Sequence, residues 1–234
     1  MDMNSFLNTL LSTADPVLPD PTAMRLALHG MWAVVLGSGT LLLAGKLARR
    51  YRLGLVFLVL LWTLMPGSAS PAYWLGLAFQ TPSLMSTVIC LGWAGSVWPF
   101  DRIRTNGNKG IGVFSENTLT ALKILVAVGV VLGWVLLLDT LAWLPVSVYA
   151  WGFSSAAVGA VALCATLLWL VLGSVGSALP LLVLTLFVLT RLPSGNVWDA
   201  LLDPWLWVAL QLGWFISAVR RRLAARRVSA AIRA

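Results

Sequence analysis

The chain has 234 residues, of which 59% are hydrophobic and only 10% charged, with a mean hydropathy of +0.90. A soluble domain carries about 25% charged residues, so this composition excludes a water-soluble globule and predicts an all-α membrane bundle whose exterior faces hydrocarbon. A formal net charge of +8 then bears on orientation in the membrane and on anionic lipid.

Residues 1–25 read as an acidic arm. Their opening, "MDMNSFLNTLLSTADP", has an acid where a signal peptide starts basic, and its apolar stretch is short and interrupted, so no cleavable leader is expected. Residues 26–219 read as a transmembrane bundle of about seven helices, because backbone in hydrocarbon must bond within its own segment and about 20 apolar residues cross the core. The first helix is expected from Leu26 to Lys46. The second, Leu53 to Met65, is short unless Arg50, Tyr51 and Arg52 snorkel. The third runs from Tyr73 to Trp98, with a bend where Pro82 removes a ladder bond.

A polar connector, "DRIRTNGNKG", follows. Helix four is expected to start at Ser115 and Glu116, a serine cap with an acid in the first turn, and to reach Leu138. Helix five spans Val146 to Leu172, and helix six begins near Pro180, which suits a first turn. The segment "RLPSGNVWDALLDP" is too polar to span and is expected along the surface. Helix seven runs from Pro204 to Val219, leaving 220–234 as a basic tail.

That tail holds six arginines and no acid between Ala218 and Ala234. Assigning alternate connections to one side places fourteen basic residues and two acids there, against two basic residues and six acids on the other. This is the positive-inside pattern, and it predicts the amino terminus outside and the carboxyl terminus cytoplasmic, with the inner membrane of a bacterium as the expected location. The tail is expected to meet anionic headgroups, at about 1 kcal/mol per arginine near the surface. Nucleic acid is not an expected partner, since the arginines lack interleaved aromatics and directly follow a membrane helix.

Several short patterns invite chemistry. "GTLLLAGK", Gly39 to Lys46, departs from a phosphate-binding loop in spacing and lacks the Ser or Thr after its lysine, so it reads as a helix end. "GFSSA" around Ser154 resembles a nucleophile motif only on paper, because the single histidine, His29, has no accompanying motif. Cys90 and Cys164 lie inside apolar runs and read as packing residues. No cofactor or metal is expected: one histidine, two separated cysteines and no carboxylate deep in a helix make a poor ligand set. The lack of a lysine in helix seven argues against a retinal Schiff base. No catalytic constellation emerges, so the chain is read as a non-enzyme.

Small-residue faces are the stronger signal. Gly129 and Gly133 form GxxxG in helix four, and Ser155 and Gly159 sit four apart in helix five; both suit close helix packing, within the chain or against a partner or second copy. Near the outer ends of the helices stand His29, Asp139, Arg191, Asp199 and Asp203, with Tyr73, Trp74, Trp143, Trp198 and Trp205 at similar depth. Gln80 and Gln211 are intramembrane polar residues. Gln80 with the five outer-face residues forms the expected ligand site, if there is one. The leading functional expectation is a non-catalytic accessory or scaffold subunit of a membrane complex. A small transporter or ligand-binding component with an outer-face site is the alternative, and a lipid-modifying enzyme stands third.

Overall fold

A computed structural model of the protein describes residues 18–103 and 116–233. Within them the fold is entirely helical, without strands. Helix α1 covers Pro21–Leu43 and ends in a 3-10 turn at Ala44–Lys46. It starts five residues before the expected Leu26, inside the segment read as an arm. Asp20 explains this: its carboxylate accepts the Thr22 and Ala23 N–H groups at 2.9 and 3.0 Å, and Pro21 occupies the first helical position.

Helix α2, Arg49–Leu64, also begins earlier than expected and returns antiparallel to α1, with Gly37 against Leu60 and Val56. The predicted third helix is broken rather than bent, into α3, Pro71–Phe79, and α4, Leu84–Ile103. Pro82 denies the helical region to Thr81 and supplies no N–H. Ser83 then caps a fresh start, its Oγ accepting the Ser86 N–H at 3.0 Å. Helix α4 runs parallel to α1, and the Ser38 hydroxyl donates to the Cys90 carbonyl at 3.2 Å.

Helix α5 covers Glu116–Thr140, while the expected cap at Ser115 lies outside the described residues. The predicted fifth helix also divides, into α6, Val148–Trp151, and α7, Ser155–Leu172, each opened by a serine cap, Ser147 and Ser154. Gly173, at φ 54°, takes the left-handed conformation that closes α7. Helix α8, Val175–Thr190, starts five residues before Pro180, because Ser174 and Ser177 form a reciprocal capping box that fixes the start upstream. Pro180 is therefore inside the helix.

The segment expected on the surface is instead among the most buried. It forms α9, Val197–Leu201; Asn196, Val197 and Ala200 are fully buried and Trp198 nearly so. Most of its polar groups are satisfied internally, which is what admits so polar a stretch to the interior. Helix α10 then runs without interruption from Pro204 to Arg233, past the predicted end at Val219.

The core gathers around α8. Val183, Leu184 and Phe187 meet Met31 of α1, Leu84 of α4, Ala157 of α7, and Val197, Trp198 and Ala200 of α9. Asn117 bonds the Leu172 carbonyl and Gly176 lies against Thr118, so the start of α5, the end of α7 and the start of α8 share one end of the bundle. Helix α10 is antiparallel to α5, with Gly133 against Trp207 and Gly129 against Leu210. Three segments, Pro21–Lys46, Glu116–Thr140 and Ser155–Leu172, are long and apolar enough to cross a membrane; Leu84–Gly95 and Val175–Thr190 are shorter apolar helices. Large apolar side chains such as Leu42, Trp62, Leu170 and Phe215 are exposed on the outside of the bundle, a surface suited to lipid rather than water.

Candidate ligand-binding cleft

The end of the bundle that holds the starts of α1, α4 and α10 carries most of the buried polar chemistry, and Asp203 organises it. As the residue before Pro204 it caps α10, its Oδ1 accepting the Leu206 N–H at 2.7 Å. Its Oδ2 accepts two further donors across the molecule, the Ser83 N–H at 2.8 Å and the Ser86 hydroxyl at 2.5 Å. The starts of α4 and α10 thus converge on one buried carboxylate, and the positive ends of both helix dipoles face it.

Asp199, one turn earlier on α9, is half-buried. Its Oδ2 accepts the Tyr149 hydroxyl at 2.8 Å and the Ser194 hydroxyl. Its Oδ1 has no hydrogen-bond partner among the described residues. Burial, then the neighbouring Asp199 charge, pushes the Tyr149 phenol well above the ordinary tyrosine range, so it stays a donor. Asn196 fastens this corner: its amide donates to the Tyr149 carbonyl at 2.9 Å and its Oδ1 accepts the Trp198 N–H at 2.9 Å, while the Trp198 indole donates to Val148 at 2.9 Å. A side chain at Gly152 would collide with Asn196 and Trp198.

Between these residues and α1 and α3 lies a cleft of about 950 Å³. Met24, Arg25 and Leu28 form one wall; Phe79, Gln80 and Thr81 form the break between α3 and α4; Tyr149, Ser194, Asp199 and Asp203 form the opposite wall. Gly133, Leu136 and Trp207 line its inner part. Gly133 lies seven residues before Thr140, so the cleft reaches about 10 Å down the helix. Gln80 adopts φ 63°, ψ −161°, a region that only glycine enters without strain, and its carbonyl accepts the Trp32 indole N–H at 3.0 Å.

Of the six residues expected to form an outer-face site, the structure places Gln80, Asp199 and Asp203 around this cleft and the others elsewhere. His29 ties α1 to α2, its Nδ1 2.9 Å from the Thr63 carbonyl and 3.4 Å from the Ser70 hydroxyl. Asp139 holds the loop before α7, accepting the Tyr149 N–H at 2.7 Å and the Ser147 hydroxyl at 3.4 Å. Arg191 closes α8, its guanidinium 5.6 Å from the Phe187 ring centroid, with burial lowering its pKa. Ser154 caps α7, accepting the Ala157 N–H at 3.2 Å.

The aromatics divide similarly. Trp205 packs edge-on to Phe79 at 4.7 Å beside the cleft, and Trp198 is part of the core. Tyr73 and Trp74 pack on each other at 5.3 Å, and Trp143 is exposed. Gln211, one turn below Trp207, does not line the cleft. Among the packing glycines, Gly133 and Gly129 do meet α10, but none of the described residues approaches a side chain placed at Gly159. Arg25, Ser83, Ser86, Tyr149 and Ser194 complete the site, and sequence reading passed over them. No family model matches the chain, and neither a curated protein nor a solved structure matches it.

Proposed function

We propose that this is an integral protein of a bacterial inner membrane, with seven crossings and the amino terminus outside, and that it binds a small molecule in the cleft at its outer face. Alternation of helix directions and the gathering of Lys46, Arg49 and Lys123 toward one end support that orientation. The observation that carries the binding role is the juncture of two interrupted chain segments. The starts of α4 and α10 meet at Asp203 beside a cleft lined by a strained Gln80. Interrupted helices at membrane depth line ligand sites because their free backbone groups need polar company, and strain persists at functional sites where the surroundings over-determine it. In this reading the role is binding, as in a small transporter or its ligand-binding component, and not catalysis.

The test uses Thr81→Cys in a background with Cys90 and Cys164 changed to serine. A membrane-impermeant maleimide added outside intact cells should label it, and Ala78→Trp, which fills the cleft from an exposed lining position, should slow the reaction. Labelling that requires access from the cytoplasm would overturn the reading.

A second role, as an accessory subunit of a membrane complex, draws on a separate observation. Gly159 of α7 is exposed and has open space beside it among the described residues, next to the exposed Leu163, and small residues on a membrane helix let another helix approach closely. The tail would hold such a protein to anionic headgroups. A helix of thirty residues is about 45 Å long, against a hydrocarbon core of about 30 Å, so α10 carries its last turns beyond the core.

A further inference from the structure

Resting on the cleft as a binding site, we infer that its ligand carries an ammonium group on an apolar body. Three features of the cleft point the same way. Its lining holds two carboxylates, Asp199 and Asp203, and one cation, the exposed Arg25. Asp203 is committed to three donors from the protein. Asp199 is oriented by two hydroxyls on one oxygen and keeps the other without a partner among the described residues, so one fixed acceptor is left for a ligand donor or cation. An anionic ligand at that oxygen would meet a like charge that no cation contacts among the described residues, which costs free energy in a partly desolvated site.

The lining supplies the other half of the argument. Trp207, Phe79, Leu28, Leu136 and Leu137 give the rest of the lining an apolar character suited to a hydrocarbon body. A charged head near Asp199 and an apolar body toward Gly133 match the polarity gradient of a membrane leaflet. The ammonium could come from an aminophospholipid of the bilayer or from a soluble amphiphilic amine, and the head chemistry is the same.

The full chain in nanodiscs of phosphatidylglycerol would be titrated by calorimetry with hexylammonium, hexyl sulfate and hexanol. Native mass spectrometry would compare retention of phosphatidylethanolamine and phosphatidylglycerol. The expected result is binding of the cationic probe alone among the three, weakened about tenfold or more by Asp199→Asn, as loss of a charge-assisted contact requires, and abolished by Ala78→Trp. Selective retention of phosphatidylethanolamine would assign the lipid source, and its absence the soluble one. The charge series on the unmodified protein keeps the test valid if Asp199→Asn does not fold. Binding of hexyl sulfate or hexanol as tight as the cation, blocked by Ala78→Trp and indifferent to Asp199→Asn, would overturn the ammonium inference and leave the cleft reading standing. Failure of every probe and both lipids to bind would overturn both.

Discussion

Asp199 and Asp203 stand one helical turn apart and have different tasks, which their hydrogen bonds define. Asp203 joins distant chain segments and is saturated by the protein; Asp199 is positioned by Tyr149 and Ser194 and remains open on one side. The Tyr149 bond makes a prediction in alkaline solution. Its folded pKa is raised above the unfolded value of about 10, so folding favours the neutral phenol. That contribution is complete below pH about 10 and is lost as pH rises through the folded value. Thermal melts of the unmodified protein should therefore fall more steeply with alkaline pH than those of Tyr149→Phe. Superimposable alkaline profiles would contradict the burial of the phenol beside the Asp199 charge. The carboxylates themselves were legible in the sequence, because charged residues are rare in a chain this apolar. Their partners were not: Ser83 and Ser86 lie 120 and 117 residues from Asp203, Tyr149 lies 50 from Asp199, and no local pattern encodes contacts of that range.

At the scale of elements, apolar runs located the helices and misjudged their continuity. Hydropathy averages over a window, whereas a break is decided by one proline and one serine, as at Pro82 and Ser83, or by one serine cap, as at Ser154. The polar segment around α9 was misplaced for a related reason. Asn196, Ser194 and Asp199 look solvent-seeking when counted singly, yet they satisfy one another and the backbone around them inside the fold. Glycine pairs show the same limit: spacing marked both GxxxG in α5 and the Ser155–Gly159 pair in α7, but among the described residues a side chain at Gly133 or Gly129 would meet α10 while one at Gly159 would meet nothing. Gly133→Ala should destabilise the protein by roughly 1–3 kcal/mol, since the new methyl collides with the Trp207 indole. Gly159→Ala meets open space and should leave the melting temperature of the isolated protein unchanged or slightly raised, because alanine favours the helix by up to about 1 kcal/mol. If the Gly159 face receives a partner's helix, Gly159→Leu should remove that partner from detergent pull-downs while the isolated protein keeps its stability. Equal destabilisation of the isolated protein by Gly133→Ala and Gly159→Ala would show that both faces are internal.

For the whole molecule, orientation decides which compartment the cleft serves, and charge decides orientation. The end of α1 and the start of α2 carry Lys46, Arg49, Arg50 and Arg52, whereas the end of α5 carries only Asp139 and the connection to α6 no charge. Moving a cluster of arginine and lysine through the bilayer during insertion is costly, at about 2.5–3.5 kcal/mol per residue on insertion scales, which is the basis of the proposed orientation with the basic turn where the chain is made. In that orientation the cleft faces outward, because α1 begins at the cleft and its closing 3-10 turn ends at Lys46. With Cys90 and Cys164 changed to serine, Trp143→Cys, in the exposed connection after α5, should react with an impermeant maleimide applied to intact cells. Ala48→Cys should react only after the membrane is opened. The reverse pattern would turn the cleft toward the cytoplasm. Labelling of both positions from outside would contradict the alternation of helices itself, since the two connections lie at opposite ends of the bundle.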